Sequence, residues 1–175
     1  AMTPRVRAFR IVKADPFDKA GRVEELQIEI VSEVEQFYDA HPQYEWERLE
    51  RHRTEFALTL RALQDYLPQP PARIVDIGGG PGRYAIALAQ RGYTVTLVDL
   101  SQNCLDFAKA RAQEAGVAVA QFVHANAIDL SALQAEHWDA ALLMGPLYHL
   151  LVSAERAQAL REARRLLKPG GLIFA

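Results

Sequence analysis

The chain has 175 residues, half of them hydrophobic, with 20 basic residues against 22 acidic ones and a formal charge of −2. That length supports one domain with a real core, and the balanced charge gives no overall footprint for nucleic acid or an anionic membrane. Cys104 is the only cysteine, which excludes an intrachain disulfide, and no apolar run approaches the roughly 20 residues that span a bilayer, so a cytoplasmic protein without membrane partners is expected.

Arg5, Arg7, Arg10 and Lys13 precede the first acidic residue, and Glu24, Glu25, Glu29, Glu33, Glu35 and Asp39 make the next stretch acidic. The basic start reads as a solvated arm in preference to an RNA-binding one. A helix is expected over about Val23 to Tyr38. Trp46, Leu49, Arg53, Phe56, Leu60, Leu63 and Leu67 then recur at steps of three and four, an apolar helical stripe with one substitution at Arg53. Leu67-Pro68-Gln69-Pro70-Pro71 ends that helix, because proline lacks the amide donor and restricts the residue before it. From Arg73 the pattern becomes short β-rich runs: Arg73 to Ile77, Tyr93 to Val98, Val117 to Val123, Trp138 to Leu143 and Gly171 to Phe174. Helices are expected between them at about Arg83 to Arg91, Ser101 to Ala115 and Ser153 to Leu167, the last two opening with serines suited to N-capping. Strand alternating with helix predicts an α/β fold, a Rossmann-like, open and mainly parallel sheet whose ligands sit at the carboxyl ends of its strands. The expected division is an N-terminal helical cap over 1–70 and the sheet core over 71–175.

Between the first strand of that sheet and its helix stands Val75-Asp76-Ile77-Gly78-Gly79-Gly80-Pro81-Gly82-Arg83-Tyr84. Glycines there let backbone amides approach a ligand where a side chain would collide. Gly78, Gly80 and Gly82 space as G-x-G-x-G, whereas the dinucleotide fingerprint needs a glycine at Arg83, which disfavours a nicotinamide-dependent oxidoreductase. No Gly-Lys-Ser or Gly-Lys-Thr follows, so a P-loop is excluded. Asp76 would repel a pyrophosphate but suits a ligand with an ammonium and a sulfonium, and Asp99 closes the second strand, where a carboxylate can accept both hydroxyls of a ribose. Each acid also has a plainer role available: Asp76 as a loop-ordering carboxylate, Asp99 as a helix cap shared with Ser101.

The run Val75 to Tyr84 resembles the first motif of class I S-adenosylmethionine-dependent methyltransferases, and Leu97-Val98-Asp99-Leu100-Ser101 resembles their second. His124-Ala125-Asn126-Ala127 falls where that family usually carries an Asp-Ala pair, with Asn126 replacing the acid. Leu142 to Leu150, containing Gly145-Pro146-Leu147-Tyr148-His149, and Leu167-Lys168-Pro169-Gly170-Gly171 resemble its fourth-strand region and the turn into its fifth strand, and Asp139 belongs to the former. Tyr38-Asp39-Ala40 and Glu45 to Leu49 are similar to the N-terminal segment of bacterial members with the Gly-Pro-Leu-Tyr-His run. The resemblance implies that S-adenosylmethionine is the cofactor and S-adenosylhomocysteine the product. It further implies that Asp76, Gly78, Gly79, Gly80, Gly82, Asp99, Leu100, Asn126, Ala127, Met144 and Tyr38 line the cofactor, Asp99 holding the ribose and Asn126 with Ala127 reading the adenine edge.

Methyl transfer from a sulfonium asks the protein mainly for alignment and, where the acceptor loses a proton, for a base. His149 and Tyr148, after the fourth strand, are the candidates for base and positioning group; local packing is the plainer alternative. Met144-Gly145-Pro146-Leu147 is not the Asn/Asp-Pro-Pro-aromatic turn of nucleobase-amine transferases, and Cys104 lies far from the place of a cytosine-attacking thiolate and reads as a core thiol. No carboxylates follow the fourth strand to hold a metal, and His41, His52, His124 and His137 show no zinc-ligand spacing, so no metal is expected. The expected partner is a small-molecule acceptor; an RNA or protein methyltransferase, or a non-catalytic cofactor-binding module, are the alternatives. The sheet of this family has seven strands and the fifth closes at Ala175, so either a longer protein or self-association through the fifth-strand edge is expected.

Overall fold

The computed structural model describes residues 9–11, 28–30 and 32–175, and the chain divides into two compact units, residues 1–37 and 38–175. In the first unit β1 (Phe9–Ile11) pairs antiparallel with β2 (Ile28–Ile30). The helix expected over Val23 to Tyr38 is thereby corrected: Ile28–Ile30 is extended, and helix α1 (Glu33–Ala40) begins at Glu33. Gln27-Ile28-Glu29-Ile30 alternates with period two and is β-branched at its apolar positions, which favours a strand over a helix. Arg5, Arg7 and Lys13 of the basic start lie outside the described residues.

The second unit continues with α2 (Pro42–Arg51) and α3 (Arg53–Tyr66), where the apolar stripe predicts one helix. The break falls at His52, with φ −104° and ψ 54°, beside the Arg53 that interrupts the stripe. The two segments therefore bury separate contacts, Leu49 in α2 and Leu60 and Leu63 in α3, and the Arg48 guanidinium bridges the break to Glu55 at 3.0 and 3.1 Å. Leu67, before Pro68, leaves α3 with an extended ψ of 144°, the restriction proline imposes.

Then come β3 (Arg73–Ile77), α4 (Arg83–Ala89), β4 (Thr94–Asp99), α5 (Gln102–Glu114), β5 (Gln121–His124), β6 (Trp138–Leu142), a 3-10 turn at Pro146–Tyr148, α6 (Ser153–Leu166) and β7 (Leu167–Phe174). The five strands form one parallel sheet in the order β5-β4-β3-β6-β7. The Rossmann-like expectation holds. The chain steps outward from β3 to β5, then returns to β6 on the other side of β3, so the strand order reverses between β3 and β6, and the crevice at their carboxyl ends is the position where such sheets bind ligands.

The central strands β3, β4 and β6 are covered on both faces, which is why they read as nearly unbroken apolar runs. Ile74, Val95, Leu97 and Leu142 pack with Leu60, Leu63, Leu88 and Leu105 on one face. Val75, Ile77, Val98 and Leu143 pack with Leu130, Ala159, Ala163 and Leu166 on the other. Cys104 is a buried free thiol, as expected of a core cysteine. Among the described residues no helix is long and apolar enough to cross a membrane.

The two expected serine caps differ. Ser101 caps α5, its Oγ accepting from the Cys104 amide at 3.1 Å. The α6 expectation is corrected: Val152 occupies the N-cap, Ser153 is already helical, and no side chain among the described residues caps the helix. Arg156 holds the preceding loop instead, donating to the Leu150 and Leu151 carbonyls at 2.6 and 3.0 Å. Ser101 also donates to Asp39 Oδ1 at 2.6 Å, so Ser101→Ala removes a cap and a tether together. It is expected to lower stability by about 1 to 2 kcal/mol, read as a lower urea midpoint at unchanged slope.

Candidate active site

The turn after β3 is held to β4 by the Gly78 amide, which donates to the Val98 carbonyl at 2.8 Å. Its four glycines serve different ends. A Cβ on Gly78 would overlap the Pro146 ring, one on Gly79 would meet the Asp76 carboxylate and Leu97, and one on Gly82 would crowd Ala108. These three lack side chains so that other parts of the protein can approach. Gly80 shares the positive φ of Gly78 and Gly82, at 55°, but differs in that nothing among the described residues lies within 4 Å of the place a Cβ would occupy, so its backbone is open at the carboxyl end of the sheet.

Asp99 is buried and both its oxygens are engaged: Oδ2 accepts from the Gly80 amide at 2.7 Å and Oδ1 from the Ser101 amide at 2.8 Å. It therefore orders the turn and the start of α5, and each oxygen keeps lone-pair capacity for a further donor. Burial raises its pKa, against the amide bonds that lower it. Asp76 lies beneath the turn, 2% exposed, and its Oδ2 has no hydrogen-bond partner among the described residues. Burial, and next the charge of Asp99, push its carboxyl up to about 7. Two buried carboxylates under one glycine turn leave a deficit of positive charge there.

Past β5, Asn126 Oδ1 accepts from the Ile128 amide at 3.2 Å, so the carbonyl expected to meet adenine also closes an Asx turn. Ala127 is buried behind it. The Leu100 carbonyl is held by His124 Nε2 at 2.7 Å, and Met144 packs partly buried on the core. Asp139 stands apart from these, accepting from the Arg73 amide and from Lys168 Nζ, both at 2.7 Å, as a structural tie between strands.

Past β6, Pro146 stands against Gly78, and His149 follows within one turn. Tyr38, from α1, brings its hydroxyl to 2.8 Å from His149 Nε2, and the Tyr148 ring lies 4.2 Å from the same imidazole. Tyr38, Tyr148 and His149 thus come together, although Tyr38 was expected only along the cofactor. Asp39 is a residue that sequence reasoning missed: its Oδ1 accepts from Ser101 Oγ and the Asn103 amide, and its carbonyl from Asn103 Nδ2 at 2.9 Å, docking the end of α1 on α5. Its one sequence signal was the Tyr38-Asp39-Ala40 resemblance, since its partners lie more than 60 positions away.

A separate cleft of about 500 Å³ is lined by Leu49, Glu50, Arg53, Phe56 and Arg83, none of them an expected site residue. Arg83 stacks over Trp46 and Phe56 and pairs with Glu50 at 3.1 Å. Among the described residues no cluster of His, Cys, Asp and Glu could hold a metal.

Residues 74–171 match the family described as a methyltransferase domain. The chain belongs to that family. Its curated relatives include the tRNA 5-carboxymethoxyuridine methyltransferase of Escherichia coli K12, 35% identical over 116 residues, which are 65% of this chain and 42% of that protein. Another is the ubiquinone biosynthesis O-methyltransferase of Paracidovorax citrulli, 33% identical over 117 residues, 67% of this chain and 48% of that protein. This methyltransferase-domain chain therefore spans less than half the length of these relatives. An S-adenosylmethionine-dependent methyltransferase of Methanosarcina mazei superposes with a TM-score of 0.57 at 30% identity, covering 64% of this chain and 55% of that one. A protein of Pyrococcus horikoshii superposes at 0.68 and 24% identity over 79% of this chain and 60% of its own, a likeness of fold.

Proposed function

We propose that the chain binds S-adenosylmethionine in the crevice between β3 and β6 and forms the cofactor-binding part of a methyltransferase for a small-molecule acceptor. The observation that carries this is the buried Asp76 oxygen close to Asp99, without a partner among the described residues, because a pair of carboxylates in that setting calls for a cation. The donor set fits the cofactor. Asp99 has lone pairs for the ribose hydroxyls, Gly80 offers an unobstructed backbone, and Asn126 with the Ala127 amide supplies an acceptor and a donor for adenine. Asp76 acts by its field from beneath the turn, and Leu100, Met144, Gly78, Gly79 and Gly82 shape the walls. When bound, the cofactor supplies a methyl group on a sulfonium that departs as a neutral thioether.

The chain's own groups handle the acceptor. Burial lowers the pKa of His149, so the imidazole is neutral and able to accept a proton at pH 7. Residues 38–70 form the cover of the acceptor side, and self-association through β7, whose one partner among the described residues is β6, belongs to the same reading. Calorimetric titration tests the proposal: S-adenosylmethionine and S-adenosylhomocysteine are expected to bind and NAD is not. Binding of NAD alone would reverse the assignment of the crevice.

A further inference from the structure

Tyr38 and His149 are 111 positions apart, yet their hydrogen bond is built from both sides. On the tyrosine side, the Cys104 thiol donates to the Tyr38 carbonyl at 3.5 Å, and the neighbouring Asp39 is held by Ser101 and Asn103. On the histidine side, the His149 amide donates to the Pro146 carbonyl at 3.0 Å, and Pro146 rests on Gly78. The rings meet edge to face at 88°, with centroids 5.4 Å apart, so the hydroxyl is aimed at Nε2 by a scaffold and not by the hydrogen bond alone.

We propose that the Tyr38 hydroxyl donates to Nε2 of neutral His149, fixes the imidazole as its Nδ1–H tautomer, and makes the Tyr38 oxygen the atom that takes the proton of a hydroxyl-bearing acceptor. The inference rests on the methyltransferase reading above. As the acceptor oxygen gains the methyl group it loses its proton to the Tyr38 oxygen, and the proton of Tyr38 passes to Nε2. An imidazolium forms and Tyr38 ends as it began, a neutral phenol, so charge and protons balance. A tyrosinate is never required, which matters because burial, and next the Tyr148 hydroxyl, drive the Tyr38 pKa far above its ordinary value. The charged and titratable groups facing this pair are Tyr148 beside the imidazole, Glu45 of α2, whose charge opposes the lowering of His149, and Asp99 beyond Tyr38. Arg48 of α2, paired with Glu45 at 3.5 Å, acts on Tyr148. Such a relay serves an acceptor that must lose a proton; a carboxylate acceptor would have no use for it.

The test uses the full chain labelled with nitrogen-15 histidine, with proton–nitrogen long-range spectra recorded between pH 5 and 9, and His149→Gln identifying the signals. The expected native spectrum has His149 as the Nδ1–H tautomer with an apparent pKa below about 6.5. In Tyr38→Phe the ring packing stays while the donor goes, and the apparent pKa is expected to rise by about half a unit or more with loss of the single tautomer. S-adenosylmethionine affinity is titrated in parallel, because Tyr38 is also expected along the cofactor. A native Nε2–H tautomer, or a Tyr38→Phe spectrum identical to the native one, overturns the inference. So does a tenfold loss of cofactor affinity with the imidazole unchanged, which would make Tyr38 a cofactor contact. Absence of S-adenosylmethionine binding in the native chain, with the tautomer as expected, would overturn the methyltransferase reading on which the relay depends while leaving the dyad's geometry intact.

Discussion

Asp99→Ala is expected to weaken S-adenosylmethionine binding by about 1 to 3 kcal/mol, a roughly 5- to 150-fold rise in Kd. Two losses contribute. The charge-assisted bonds to ribose hydroxyls go, and so does the brace that aims the Gly80 amide at Oδ2 and the Ser101 amide at Oδ1. Asp99→Asn separates them, because the side-chain amide keeps one acceptor for the backbone but removes the charge and one acceptor site. The expected order of affinity is native, then Asn, then Ala, measured by calorimetry at constant salt. Equal affinity in all three proteins would show that Asp99 orders the turn and does not hold the ligand.

Asp76→Asn should make the ligand-free protein more stable at pH 8 by up to a few kcal/mol, with the gap closing toward pH 5. The folded carboxyl titrates at about 7, whereas the unfolded one has an ordinary value near 4. The folded state thus binds the extra proton between about pH 4 and 7. This group's stabilising contribution is fully present below the unfolded pKa and is lost as pH rises through the folded one, at about 1.4 kcal/mol per pH unit inside that window. Carboxylates with lowered pKa values, such as Asp106 beside Lys109 and Glu162 beside Arg165, run the other way, but both proteins share them. Urea midpoints of the two proteins at pH 5, 6.5 and 8 give the comparison. A difference that does not change with pH would mean that Asp76 keeps its charge in the apo protein. The same substitution is expected to weaken binding of the cationic cofactor, so the group that destabilises the empty crevice is the one that suits it to its ligand.

The sheet could be read from the sequence because its signals are local. β3 begins and ends at the expected residues, and β4 is displaced by one, from Tyr93 to Thr94 at its start. A strand covered on both faces is mostly apolar, and a turn that needs positive φ at Gly78, Gly80 and Gly82 favours glycine. Shorter signals were less decisive. The strand expected over Val117 to Val123 is Gln121–His124, because among the described residues β5 pairs only with β4, and the register of that ladder sets its length. In the α2–α3 region the helical period continued through His52, whereas the chain breaks there and buries Leu49 before the break and Leu60 and Leu63 after it.

By itself the sequence determined the α/β class, the glycine turn, the two acids that bracket it and the aromatic and imidazole groups after β6, since each depends on residues adjacent in the chain. Tertiary structure alone decided that Gly78 makes room for Pro146, that Gly80 has no described neighbour where a Cβ would stand, that one oxygen of Asp76 lacks a partner among the described residues, and that Tyr38 meets His149. Those contacts join segments tens of residues apart, and the order of strands across the β3–β6 reversal, which no local pattern encodes, is what brings them to one edge of the sheet.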